Sequence, residues 1–339
     1  MVKKVLLSTL AFLVLLFVIY WDLVSYGLQQ AKGQLTIISN TQDVSDVLAS
    51  DNVPDSIKHQ IRNIEEARLF AFDSLGLKQS DNYTTFYDQK GQVSLWNLSA
   101  SEPFALEPKL WSFPILGSFP YKGFFDLEKA KTEAKELKDE GYDVRIRPVG
   151  GWSTLGWTKD PILSNMLRRT EGSLVELIIH ELTHSTLFVK DDIEFNENLA
   201  SFIGEKGAVA FLNNKYGKGS SAYYDYIISE EDSETFRDHM LLAAGKLDSL
   251  YQSMIEISSD SIKSKKKEQM INEIIISIDT LHFHNERYYQ IFQNTLPNNA
   301  YFMSYLRYYS SNDSLESLLS NSYDNDLRSF IEGMVEYHK

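Results

Sequence analysis

Followed along the chain, apolar and polar positions fall into three patterns, and each predicts a different kind of element. Val5 to Trp21 is almost unbroken apolar sequence, interrupted only by Ser8 and Thr9, behind a basic flank of Lys3 and Lys4. A run of that length is about the minimum for a membrane span, and the positive-inside rule puts the lysines in the cytoplasm and everything after Asp22 on the far side. A cleaved signal peptide is the competing reading. No small-x-small site follows the run and no cysteine offers a lipid anchor, which favours an uncleaved anchor over residues 1–24. From Gly33 to Leu77 the period becomes helical: Val44 to Leu48 is short, and Pro54 opens a segment in which Ile57, Ile61, Ile64, Ala67 and Phe70 recur every three to four residues, leaving His59 towards solvent.

The middle of the chain shortens its period. Tyr83 to Asp88 and Val93 to Ala100 are aromatic and β-branched runs joined by Gln89-Lys90-Gly91-Gln92, a pattern that predicts a hairpin. Pro103 to Pro120 is irregular, either a packed loop or a wall of a cleft. Phe124 to Gly141 is a helix with Leu127, Ala130, Ala134 and Leu137 on one face and Gly141 as its stop, and Tyr142 to Val149 alternates as a strand until Gly150-Gly151. Beyond Gly207 the helical period returns. Ala222 to Ile257 and Ile262 to Phe283 are long enough to pair antiparallel, with Lys263 to Lys267 at the solvated end. Asn298-Asn299-Ala300 opens another helix, carrying Tyr301, Tyr305 and Tyr308. The fold class is α+β and mostly α-helical, with a small β-sheet and long antiparallel helices.

Composition narrows the function. With 339 residues, 43% of them hydrophobic, the chain can bury a large core. A net charge of −14 argues against a nucleic-acid partner, which needs a basic surface. The absence of cysteine removes disulfides, thiolate ligands and cysteine nucleophiles, so any metal must be held by histidine and carboxylate.

One stretch meets that condition. In Glu176-Leu-Ile-Ile-His180-Glu181-Leu-Thr-His184 the two histidines lie four residues apart, so on a helix both imidazoles leave one face about a turn apart and can reach one ion. Glu181 completes H-E-x-x-H, in which two histidines hold zinc and the glutamate serves as general base on its water. Leu174, Val175, Leu177, Ile178, Ile179 and Leu182 make the helix apolar nearly all round, hence buried, where such polar groups need a partner and a metal supplies one. Ser173 is the expected N-cap, with Glu176 in a capping-box position. The third ligand is Glu197, on a second helix with Phe195, Leu199, Phe202 and Ile203 at helical spacing and with Ala200, Gly204 and Ala208 small enough for close approach. The variant with a third histidine fails, because Leu187 and Lys190 occupy its glycine and histidine positions. His282 and His284, two apart, cannot share a helical face and are expected to be non-ligands. Trp152 to Trp157, just before the metal helix, is the place for an edge strand that binds substrate backbone, with Ser153, Thr154, Leu155 and Gly156 as its contacts, or else an aromatic connector packed on the core.

Pro120-Tyr121-Lys122-Gly123-Phe124-Phe125-Asp126, Gly141-Tyr142-Asp143-Val144, Ser153 to Trp157, Asp160-Pro161, His180 to His184, Phe195-Asn196-Glu197 and Asn298-Asn299-Ala300 together resemble, in order, a bacterial family assigned as zinc aminopeptidases on its zinc motif. Gln29 to Leu35 resembles its entry after the anchor, so the likeness covers nearly the whole chain. The resemblance implies a gluzincin-like peptidase with one zinc ion per chain, a peptide substrate, Asn298 and Asn299 among the substrate contacts, and a hydroxyl opposite the metal for the oxyanion. Tyr308 is the candidate by its offset from Asn298. It also implies a zincin-like core at 81–216, a helical neck at 25–80, a helical region at 217–339 that completes the cleft, and a single-pass inner-membrane protein with its catalytic part on the periplasmic side. Two departures matter, one being that only twelve residues separate His184 from Glu197, a shorter interval than in many such enzymes, which tightens the turn between the helices without forbidding the site. The acidic residue that steadies the first histidine in such enzymes, four positions after the ligand glutamate, is here Ser201, and Glu176 is the replacement one turn before His180. An endopeptidase and a non-catalytic envelope protein with a structural zinc remain open alternatives. The oligomeric state is not legible.

Overall fold

The first described helix, α1 (Trp21–Ser39), is followed by β1 (Gln42–Asp43), α2 (Val44–Ala49), α3 (Asp55–Asp73), β2 (Thr85–Tyr87), β3 (Trp96–Ser101), β4 (Trp111–Phe113), β5 (Gly117–Phe119) and β6 (Lys122–Phe124). Then come α4 (Leu127–Asp139), β7 (Asp143–Pro148), β8 (Ile162–Leu163), α5 (Glu171–Thr186), α6 (Ile193–Tyr216), α7 (Ser221–Ser253), α8 (Asp260–Ser277), α9 (Asn299–Tyr309), α10 (Asn312–Tyr323) and α11 (Leu327–Tyr337). The structure is a computed structural model and describes residues 3–4, 6, 20–113, 117–150 and 158–338. It is mostly helical with small sheets, an α+β arrangement.

Three apolar clusters hold these elements. The largest joins α1 to α3 to the central pair α5 and α6 and to α10 and α11, through Ile37, Ile61, Ile64, Ile178, Phe202 and Phe330 among others. A second lies between α7, α8 and α9, around Met240, Leu247, Ile274 and Phe302. The third is a sheet with a helix on one face: β3 runs antiparallel between β6 and β7, and Leu98, Ala100, Phe124 and Val144 meet Ala130, Ala134 and Leu137 of α4. The periodicity expected of α4 is present, and its start is fixed by Asp126, whose side chain accepts from the backbone of Glu128 and Lys129. Gly141 ends the turn after it at φ +100°, a conformation that suits glycine. His59 is exposed, as expected.

Two expectations are corrected here. The strands predicted as a hairpin over 83–100 exist but do not pair. β2 lies between β1, antiparallel, and β8, parallel, whereas β3 belongs to the other sheet. Gln89 explains the divergence: its side chain is buried, donating to Ser94 and accepting from the backbone of Asn165, so the turn is tied to the segment after β8 and directs β3 elsewhere. The single-pass inner-membrane anchor is the second. Among the described residues no helix is long and apolar enough to cross a membrane. Most of the run from Val5 to Trp21 lies outside the described residues. The helix next to it, α1, carries Gln29, Gln30, Lys32 and Gln34 and packs on protein, with Tyr26 and Gln30 donating to the Gly123 carbonyl and Gln34 to Thr158.

The pair α5 and α6 positions the site. Leu174, Val175, Ile178, Ile179 and Leu182 of α5 have no exposed surface. Their burial contributes on the order of 10 kcal/mol, enough to carry several polar side chains on the same helix. The two helices approach closely because α6 is small where they cross. A Cβ added to Gly204 would lie 3.0 Å from the Glu176 carbonyl and 3.3 Å from the His180 Cβ, and one added to Gly207 2.8 Å from Ile179. The reversal between the helices is closed by Asn196, which accepts from the Val189 amide at 2.8 Å and donates to its carbonyl at 2.7 Å.

Candidate metal centre

The face of α5 turned towards α6 presents His180 and His184, and α6 answers with Glu197. The two Nε2 atoms are 3.2 Å apart, and the Glu197 Oε2 stands 3.5 Å from the first and 3.6 Å from the second. His184 and Glu197 are 8% exposed, the His180 side chain 16%. Among the described residues these three form the one group of side chains able to hold a metal ion. Three donors at zinc bond lengths of about 2.0–2.1 Å span a tetrahedral face with edges of about 3.3–3.4 Å. The observed triangle has that size, so the residues fit the ion.

The electrostatics favour a cation at the centre of the triangle. Burial works against the Glu197 carboxylate, but the two imidazoles outweigh it and hold its pKa well below the usual range. Burial likewise disfavours the charged form of His180, yet hydrogen bonding to Glu197 and the charges of Glu181 and Glu176 raise its pKa. His184 Nδ1 is buried without a hydrogen-bond partner among the described residues. Its ring packs edge-on against His180 and Phe188, with centroids 4.9 and 6.4 Å away.

The other sequence candidates divide. Tyr308 of α9 comes to the cage: its ring stacks on His180 with centroids 6.4 Å apart, and its hydroxyl accepts from Arg147 Nη2 at 2.9 Å. Glu176 is mostly enclosed and accepts from the Tyr226 hydroxyl at 3.1 Å. Its capping-box reading is corrected, because α5 begins at Glu171, two residues before Ser173, with Thr170 as the cap that accepts from the Ser173 amide. Burial, and then the charge of Glu205, push Glu176 up to about 7. Asn298 and Asn299 make hydrogen bonds within the fold. Asn298 caps α9 and donates to the Val144 carbonyl, while Asn299, fully buried, donates to the Glu102 carbonyl and accepts from Tyr251. Ser153, Thr154, Leu155 and Gly156 lie outside the described residues. His284 stays out of the cage and pairs with Asp232.

Residues 25–339 match the family model described as "Putative aminopeptidase". The chain belongs to that family. No curated protein and no solved structure matches it. The family match covers every element from within α1 to the end of the chain, including both helices that bring His180, His184 and Glu197 together and the helix that carries Tyr308.

Within this family member, several residues near the cage had no sequence signal. Arg147 alternates as an ordinary strand residue. Tyr83 follows a turn yet is fully buried with φ +62°, and burial and then the charge of Glu181 raise its hydroxyl pKa. Asn82 beside it donates to Ser185 at the end of α5 and accepts from the Asp160 amide, holding α5 to the segment before β8. Side-chain amides of this kind report tertiary contacts, and no local period marks them.

Proposed function

We propose that the chain is a zinc-dependent peptidase, and specifically an aminopeptidase, whose zinc is held by His180, His184 and Glu197. The observation that carries this reading is the triangle of two imidazole nitrogens and one carboxylate oxygen with sides of 3.2, 3.5 and 3.6 Å, buried between two helices. A zinc ion there supplies Lewis-acid polarisation of the scissile carbonyl and lowers the pKa of water. Glu181, next to His180 on α5 and close enough for its charge to act on that imidazole, takes the proton of the attacking water and delivers it to the departing amine. Tyr308 donates its hydroxyl proton to the oxyanion, and Arg147 orients it by occupying a lone pair on the phenol oxygen. Glu176, one turn before His180, steadies that imidazole. In this reading residues 81–216 are a zincin-like catalytic core, 25–80 a neck packed on it and 217–339 the part that completes the cleft with Tyr308. The family supports the aminopeptidase class.

Glu181→Gln keeps the shape of the side chain and removes the base. The expected outcome is unchanged zinc content by elemental analysis and a fall in kcat of about 10²–10⁴ on peptides with free amino termini. Full activity in that variant removes the mechanism. Equal turnover of peptides with free and blocked amino termini by the unsubstituted protein would make it an endopeptidase instead.

A further inference from the structure

Arg147 and Arg307 stand against the aromatic wall of the candidate site, and among the described residues neither has a carboxylate in ion-pair contact. Arg147 extends from β7, its Nη2 on the Tyr308 hydroxyl and its Cζ 5.6 Å from that ring's centroid. Arg307 of α9 is 6% exposed, with its Cζ 5.5 Å from the Tyr121 ring and its Nη2 reaching the Pro120 carbonyl only at 3.5 Å. Among the described residues the arginine ion pairs are Arg237 with Glu205 and Arg328 with Glu332. The segments outside them contain no aspartate or glutamate.

The contrast with Arg237 decides the point. It is 7% exposed, as enclosed as Arg307, and has Glu205 at 2.6 Å. A chain with a net charge of −14 does not lack carboxylates to place beside a buried arginine. Both unpaired guanidiniums lie close enough to Tyr121 and Tyr308 to offset the field of Glu197 there, and Glu197 is already engaged by two histidines. Arg145, two residues along the same face of β7, adds a third positive charge, over the Tyr301 ring at 4.4 Å. Buried charges are held where a counter-charge meets them, and the planar fork of arginine matches a carboxylate bidentately.

We propose that Arg147 and Arg307 form a carboxylate-binding subsite beside the metal cage, which selects peptides whose leaving residue carries a carboxylate. This rests on reading the cleft as an aminopeptidase site: the amino side of the substrate is then a cationic amine, and the anion belongs to the residue that departs. The carboxylate is either the C-terminus of a dipeptide or an acidic side chain.

Calorimetric binding to the zinc-loaded Glu181→Gln protein tests the subsite without turnover. The probes are Ala-Ala with a free carboxylate, its C-terminal amide, and Ala-Glu amide. At least one carboxylate probe is expected to bind roughly ten- to a hundredfold more tightly than Ala-Ala amide, and whichever gains identifies the source. Adding Arg147→Gln removes the advantage, and Arg147→Lys returns part of it. Equal affinity for all three probes overturns the proposal, as does an advantage that survives Arg147→Gln in a protein of unchanged circular dichroism. If Arg147→Gln does not fold, the comparison of the three probes on the Glu181→Gln protein decides alone. A chain that binds carboxylates and cleaves nothing defeats the peptidase reading and leaves the subsite standing. One that cleaves peptides without preferring carboxylates does the reverse.

Discussion

Tyr308 shows how much one hydroxyl can be asked to do. Its ring lies on His180 and its oxygen accepts from Arg147, which leaves its proton free to be donated. Burial, followed by the charge of Glu197, raises its pKa, so it stays protonated at neutral pH and able to donate. Tyr308→Phe keeps the stacking and removes the donor. The expected result is a fall in kcat of about 10²–10³ with KM changed only a few fold and zinc content unchanged, measured by steady-state kinetics beside metal analysis. A variant with native kcat would make the tyrosine a packing residue. At this scale the sequence was most informative where chemistry constrains both residue type and spacing, as at His180, His184 and Glu197, which the fold brings together. It was ambiguous where one residue type serves two ends. An asparagine before a helix can face substrate or cap the helix, and Asn298 caps it. Arg147 carried no local signal, because a polar residue alternating along a strand reads as solvent-facing until an unseen helix packs over it.

The element that makes the cage is the crossing of α5 and α6, and its tolerance is narrow. Gly204 sits against the Glu176 carbonyl and the His180 Cβ, so even a methyl group there must move backbone and not merely a flexible side chain. Gly204→Ala is therefore expected to separate the helices by a few tenths of an ångström and to misplace Glu197 relative to both imidazoles. Zinc affinity should fall by about tenfold, read by competition with a chelator, because groups that only orient ligands have effects of that size. Unchanged affinity would show that the crossing gives way without disturbing the cage. This closeness was legible as small residues at Ala200, Gly204 and Ala208 on one helix. The pairing of strands was not. Alternation identified β2 and β3 as strands, but pairing depends on where the turn between them is tied, and Gln89 ties it to Asn165, far along the chain.

Across the whole molecule, stability should depend on pH through the junction of α5, α6 and α7, where Glu176, Glu205 and Glu230 converge. Burial and then the charge of Glu176 push Glu230 up to about 8, and Glu176 rises to about 7, each from an ordinary value of 4.5. Between about pH 4.5 and pH 8 the folded chain therefore holds protons that the unfolded chain has released. Fewer protons on the unfolded state means that stability falls as pH rises through that window. Glu197 has the opposite sign, its lowered pKa contributing stability that is lost as pH drops below the ordinary carboxylate range. In metal-free protein the melting temperature should thus peak near pH 5 and decline towards pH 8.5. Glu230→Gln removes the largest of the proton-holding groups and should flatten that decline, raising Tm at pH 8.5 by about 2 °C or more while leaving pH 5 nearly unchanged. Scanning calorimetry at the two pH values checks it. A native protein whose Tm is flat or rises from pH 5 to 8.5 would mean that Arg237 and the surrounding hydroxyls compensate the three carboxylates fully, and the alkaline loss would then have no source at this junction.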